Sequence, residues 1–299
     1  MKQMITLKRH QIHTGNLILV NETYPIIRPF HPPLVPVESS YAAITLQRTA
    51  AALLAGALTD LTAREKIVPV SGFRPLREQR QIYEDSLKEN GREFTEKYVA
   101  LPDHSEHQTG LAIDLGENKA DIDFIRPDFP YEGICQEFRK RAADYGFIER
   151  YQKEKTAVTH IAHEPWHFRY VGCPHAALMQ EHDMALEEYI LWLKRFPYEG
   201  EHLFTRNDRY EAEIFYVPMT EDAAQAFAKP RTAVMAHTVR IALPDCTAYQ
   251  VSGNNIDGCI VTLWHSRYTL PGQIRPQSRP KTVPAHDEKT KKESKRRAG

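Results

Sequence analysis

The chain has 299 residues, 41% hydrophobic and 26% charged, with a formal net charge of zero. Such a length buries a sizeable core without disulfide or metal staples, and the charge balance excludes a general electrostatic mode of binding nucleic acid or an anionic membrane. The four cysteines, Cys135, Cys173, Cys246 and Cys259, include no CxxC pair, so free thiols are expected rather than a disulfide framework or a cysteine-based zinc site.

In chain order, the opening residues carry no signal-like apolar stretch, and no run approaches the length of a membrane-spanning helix, so a cytoplasmic location is expected. Residues 16–20 predict a strand. Residues 25–36 are proline-rich and must be extended, because proline removes a donor and biases the residue before it away from the helix. The alanine- and leucine-rich stretch 41–64 predicts a core helix, 66–71 a strand, and 78–90 a helix that stops at Gly91. Residues 105–116 read as a loop running into a strand at 111–115. A helix is expected at 134–145, ended by Gly146, with strand-like runs at 156–162 and 167–171 separated by Glu164 and Pro165. Residues 175–195 predict one helix. Beyond it, short β-type runs at 213–217, 238–243, 247–251 and 259–264 are broken by turn signals. The expected organisation is a catalytic domain at 1–199, a small β-rich C-terminal appendage at 200–270 and a disordered basic tail at 271–299.

Three segments concentrate unusual residues: SGFRP at 71–75, SEHQTGLAID at 105–114 and EPWH at 164–167. A catalytic zinc takes three ligands from histidines and carboxylates and keeps a fourth position open. His107 and Asp114 are candidates from one segment, and His167 is the third from far along the chain. Side chains alternate along a strand, so Ala112 and Asp114 share a face while Ile113 and Leu115 take the other. An aspartate inside LAIDL is costly to bury without a metal or a paired arginine. Read singly, His107 is equally a surface-loop histidine, His167 a satisfied core histidine and Glu164 a solvated loop residue, and 14 histidines make chance pairings easy. Read jointly, Glu164 is placed to take a proton from water and deliver it to a leaving amine. Arg74, after a Ser-Gly turn, is placed to stabilise an oxyanion, an effect worth roughly 3–4 kcal/mol per donor. The joint reading is hydrolysis of a peptide bond.

At these residues the chain resembles a known family. SxHxxGxAxD, matched at Ser105, His107, Gly110, Ala112 and Asp114, is similar, together with EPWH and SGFR, to the zinc D,D-peptidases of the M15 type. That group includes VanY-type carboxypeptidases, VanX-type dipeptidases and the bifunctional VanXY type. The resemblance spans residues 10–195. It implies one zinc ion per chain on His107, Asp114 and His167, with Glu164 as base and acid and Arg74 as stabiliser of the carbonyl oxygen. It further implies substrate contacts for Ser105, Gln79 and Trp166. The implied fold is α+β, a small antiparallel sheet carrying the zinc site among packed helices, here with the β-rich appendage added. The implied activity removes the terminal D-alanine from peptidoglycan precursor peptides ending in D-Ala-D-Ala, with a role in glycopeptide (vancomycin) resistance. A D,D-dipeptidase and an L,D-carboxypeptidase are the enzymatic alternatives. A non-catalytic binder of cell-wall peptides is the alternative of another class, and the intact ligand set with Glu164 argues against it. No nucleic acid and no membrane span enter this reading, and it leaves the oligomeric state open. Two departures stand out: LPDHS at 101–105, where relatives often carry glycine after the proline, and the appendage itself.

Overall fold

In the computed structural model, residues 3–27, 30–123, 125–219 and 238–265 are described. The expected basic tail, 271–299, lies outside them. The chain begins with strand β1 (Met4–Lys8), which buries Leu7. Residues 16–20, expected as a strand, form none. Leu17, Ile18, Leu19 and Val20 are buried without joining a ladder, and the backbone N–H groups of Leu17 and Leu19 donate instead to Ser252 Oγ and Asn254 O. A short continuous apolar run does not reveal by its pattern which of these it adopts.

The proline-rich stretch ends in β2 (Leu34–Pro36), antiparallel to β3 (Thr45–Gln47). That pairing removes residues 45–47 from the expected helix, which is α1 (Arg48–Asp60) with its buried stripe at Ala50, Ala51, Leu54, Ala57 and Leu58. Strand β4 (Ile67–Ser71) and helix α2 (Leu76–Tyr98) follow. The helix breaks at Gly91, where φ is 79°, as expected, but resumes after it. A short 3-10 turn, Glu106–Thr109, leads into β5 (Ala112–Glu117). Helix α3 (Gly133–Ala142) and a following 3-10 turn end at Gly146, and β6 (Phe147–Tyr151) comes next. Residues 156–162 are not a strand. They open with one helical turn, α4 (Thr156–Thr159), closed by His160 in the left-handed region. Glu164 and Pro165 do not separate strands either. They begin β7 (Glu164–Tyr170), where a proline at the strand's start is tolerated beside the irregular register between β6 and β7. The single helix expected at 175–195 is two, α5 (His175–Glu181) and α6 (Leu186–Leu193), broken near Asp183 with φ 49°. Strands β8 (Leu203–Arg206), β9 (Glu211–Pro218), β10 (Thr238–Ala242), β11 (Ala248–Gly253) and β12 (Gly258–His265) complete the described chain.

The result is an α+β fold with small antiparallel sheets. One has the order β4-β5-β7-β6 and a second β11-β12-β9-β8, while β1 pairs with β10. The first sheet is two-faced. Ile113 and Leu115 of β5, Phe147 of β6 and Phe168 of β7 enter the main core with Leu54 and Leu58 of α1 and Phe138 of α3. Phe168 and Phe138 meet edge to face at 5.0 Å, a geometry that the ring quadrupoles favour. The opposite face holds the polar residues described below. Helices α5 and α6 pack Leu178, Met179, Leu186 and Ile190 against Ile214 and Ile260 of the second sheet. Among the described residues no helix is long and apolar enough to cross a membrane.

His175 pins that second packing layer. Its Nδ1 lies 2.8 Å from Tyr189 Oη and its Nε2 3.0 Å from Thr262 Oγ1. Burial pushes its pKa down to about 3. A group depressed in the fold gives stability present above its unfolded value, about 6.5, and lost as pH falls toward the folded value. His175→Gln removes that titration. Urea unfolding of chelator-treated protein is expected to show the wild-type advantage shrinking by about 1–2 kcal/mol between pH ~7 and pH ~5. A pH-independent difference between the two proteins would contradict it.

Candidate active site

Strands β5 and β7 bring the separated motifs together. Asp114 stands opposite His167 in the register, with Ser71 of β4 on its other side. Directly opposed residues share a face, so the aspartate and histidine side chains meet although 53 positions separate them in sequence. His107 enters from the 3-10 turn before β5. Gly110 ends that turn at φ 69°, a left-handed conformation that favours glycine, and a Cβ there would also press on the Leu34 side chain.

His107, Asp114 and His167 form the one group of three among the described residues whose ligand-type atoms all lie within 4.8 Å of one another, and all three are buried. Asp114 Oδ2 is 3.2 Å from His107 Nε2, and its Oδ1 is 3.0 Å from His167 Nδ1. The remaining ring nitrogens are committed elsewhere. His107 Nδ1–H donates to Gly72 O at 2.7 Å, and His167 Nε2–H faces Glu106 Oε2 at 3.4 Å. Each ring therefore turns a defined nitrogen toward the aspartate, which is how metal-binding histidines are set. Burial works against a proton on His167, but its hydrogen bonds to the acceptor oxygens of Asp114 and Glu106 outweigh it and push its pKa up to about 9. The pocket favours a cation where that proton sits. Two imidazole nitrogens and one carboxylate form a donor set that fits a divalent, borderline-soft metal ion.

Glu164 begins β7 beside this group, with Oε2 3.8 Å from His167 Nδ1, and its side chain is 13% exposed. Burial first, then the neighbouring Asp114 and Glu106 charges, raise its pKa to about 8 against the pull of His167 and Arg74. Arg74 is held from three directions. Its N–H donates to His107 O at 3.2 Å, Nη1 to Gln79 Oε1 at 2.8 Å and Nη2 to Ser71 Oγ at 3.2 Å. Gln79 is itself fixed by donation to Ala100 O at 2.7 Å, so it orients the arginine. Ser105 is buried at the foot of the 3-10 turn, and Trp166 packs, partly buried, against the main core. His104 and His163, which flank the motifs, pair elsewhere, with Asn21 O and with Tyr131 Oη, each at 2.7 Å.

Sequence reasoning missed four residues around the site. Glu106 sits between Ser105 and His107 and reaches under His167. Arg150 and Arg169 both meet it, and Tyr151 lays its ring 4.8 Å from that of His167. Arg169 had a readable signal, since an arginine inside HFRYV poses the same burial problem as an aspartate inside LAIDL.

Comparison with known proteins agrees with this geometry. The family described as VanY, D-alanyl-D-alanine carboxypeptidase, matches residues 44–173. The bifunctional D-Ala-D-Ala dipeptidase and D-Ala-D-Ala carboxypeptidase VanXYC of Enterococcus gallinarum is 41% identical over 177 residues, covering 58% of this chain and 93% of the relative. A D-alanyl-D-alanine carboxypeptidase of Enterococcus faecium is 31% identical over 291 residues, covering 92% of this chain and 81% of the relative. The crystal structure of the vancomycin resistance D,D-dipeptidase VanXYg, in complex with a D-Ala-D-Ala phosphinate analog, superposes with a TM-score of 0.80 at 48% identity, covering 89% of this chain and all of that one. The chain belongs to the VanY family of D-alanyl-D-alanine carboxypeptidases, hydrolases among the M15 metallopeptidases.

Proposed function

We propose that the chain is a zinc-dependent carboxypeptidase that releases the terminal D-alanine from peptidoglycan precursor peptides ending in D-Ala-D-Ala. The observation that carries this reading is the buried group of His107, Asp114 and His167 with an unliganded carboxyl, Glu164, at its edge. His107, Asp114 and His167 would hold one zinc ion per chain, and zinc there supplies Lewis acidity that acidifies water and polarises a carbonyl.

The remaining chemistry falls to side chains. Glu164 accepts a proton from the attacking water as its oxygen bonds to the scissile carbonyl carbon. Arg74, oriented by Gln79 and Ser71, faces the negative charge that develops on the carbonyl oxygen. Glu164 then passes its proton to the nitrogen of the departing D-alanine as the C–N bond breaks, leaving a shortened peptide carboxylate. Ser105 and Trp166 are proposed to contact the substrate's terminal residue, whereas Gln79, expected to do the same, is buried with its amide spent on Arg74 and Ala100 O and is proposed to act through the arginine. Residues 1–199 carry this chemistry in the proposal, and 200–270 are the appended β-rich part. A cytoplasmic location belongs to the same proposal, and cell fractionation tests it.

Incubation with a nucleotide-linked pentapeptide is expected to release D-alanine, to stop when a chelator strips the metal, and to resume on adding zinc. Release that persists after chelation would remove the metal from the reaction. A D,D-dipeptidase acting on free D-Ala-D-Ala is the second reading, favoured by the likeness to VanXYg over 89% of the chain. Mass-spectrometric analysis of products from dipeptide, tetrapeptide and pentapeptide separates the two and also detects L,D-cleavage. The vancomycin link in that relative's name extends the proposal to resistance, to be tested by the drug's inhibitory concentration in a susceptible host expressing the chain.

A further inference from the structure

We propose that Glu106 is a positioning residue for His167, an anchored carboxylate that fixes the ring on its side away from the metal. The inference rests on the metal reading above. The His167 ring is strung between two carboxylates, with Nδ1 toward Asp114 Oδ1 at 3.0 Å and Nε2 toward Glu106 Oε2 at 3.4 Å. His107, by contrast, is oriented by a neutral backbone carbonyl, Gly72 O. A carboxylate behind a metal-binding imidazole fixes its tautomer and strengthens it as a donor.

Glu106 can do this because it has no freedom of its own. Its side chain is fully buried, and its other oxygen, Oε1, accepts from Arg150 Nε at 2.9 Å and lies 2.8 Å from Arg169 Nη1. Arg150 is clamped from its far side by Glu187 on α6, with Nη1 and Nη2 donating at 2.9 and 2.6 Å. Arg169 Nη2 donates to Asn16 O at 3.0 Å and to Ile18 O at 2.9 Å. Two arginines, Arg150 and Arg169, face two glutamates, Glu106 and Glu187, so the charges of the supporting network balance. The two guanidinium groups beside Oε1, Arg150 Nε at 2.9 Å and Arg169 Nη1 at 2.8 Å, give the Glu106 carboxylate its counter-charges and leave Oε2 as an acceptor toward His167. A purely structural account makes Glu106 only the counter-charge of the arginines, and that account predicts no effect on the metal.

The test measures zinc affinity of the full-length protein by competition with a chromophoric chelator, together with the absorption spectrum of the cobalt-loaded form. Glu106→Gln is expected to weaken zinc binding by about 10–100-fold and to change the cobalt spectrum. Glu106→Asp keeps the charge, and with it the fold, but withdraws the carboxylate by one methylene; it is expected to weaken zinc binding less. His175→Gln, a buried substitution outside the network, serves as the control for general loss of stability and is expected to retain wild-type affinity. Folded Glu106 variants that bind zinc as tightly as the wild type overturn the proposal, as does an equal loss in His175→Gln. Failure of the wild type itself to bind zinc is a different outcome and removes the metal reading.

Discussion

Replacing Glu164 with alanine is expected to lower kcat for D-alanine release by about 10²–10⁴-fold while zinc remains bound at one ion per chain. The carboxyl stands beside the candidate metal-binding group without belonging to it, 3.8 Å from His167 Nδ1. Burial raises its pKa to about 8, the kind of perturbation that marks a proton-transfer candidate. Its neighbour Pro165 and the start of β7 fix its backbone, and Arg139 Nη2 donates to Pro165 O at 2.8 Å. The variant removes proton transfer and leaves the ligands in place. Paired measurements of turnover and bound zinc check this. Unchanged turnover would sink Glu164 as the acid and base, and a parallel loss of zinc would make it a ligand instead.

Arg169→Ala is expected to destabilise the fold by about 3–5 kcal/mol, the cost typical of breaking a buried ion pair from one side. Both Arg169 and Glu106 have fully buried side chains. Without the guanidinium, Glu106 loses one of its two arginine counter-charges, and the carbonyls of Asn16 and Ile18 lose a donor, that of Ile18 in a buried position. Urea unfolding of the chelator-treated variant measures the effect free of metal binding. A loss below about 1 kcal/mol would mean that the network is not buried in solution as it is here.

How much of this was legible in sequence depended on whether the cause was local. Gly91 and Gly146 punctuate helices through their own backbone freedom, and both breaks were readable. The alternation in LAIDL correctly assigned Ile113 and Leu115 to the core and Asp114 to the other face. The pairing of β2 with β3 shortens α1 from outside, and nothing in residues 41–47 announces it. The segment 16–20 reads as a strand because its apolar run says only that it is buried; its true partners, Ser252 and Asn254, are more than 200 positions away. The metal-binding candidates were found because few chemistries explain such residues together. Glu106 was passed over because a glutamate in a polar loop looks solvated, and only the arrival of Arg150 and Arg169 from distant strands makes it a buried anion.

The pairing of β1 with β10, Lys8 opposite Thr238 and Met4 opposite Ala242, also sets a timetable. During synthesis the first strand emerges roughly ten seconds or more before its partner, at usual rates of chain elongation. Asn255 arrives later still, and it holds Ile12 and Leu19, next to the carbonyls that receive Arg169. The outer support of the proposed metal site is thus finished by almost the last described residues to leave the ribosome. A nascent chain can have every residue of the proposed site exposed to the solvent and yet lack the fold that makes them a site.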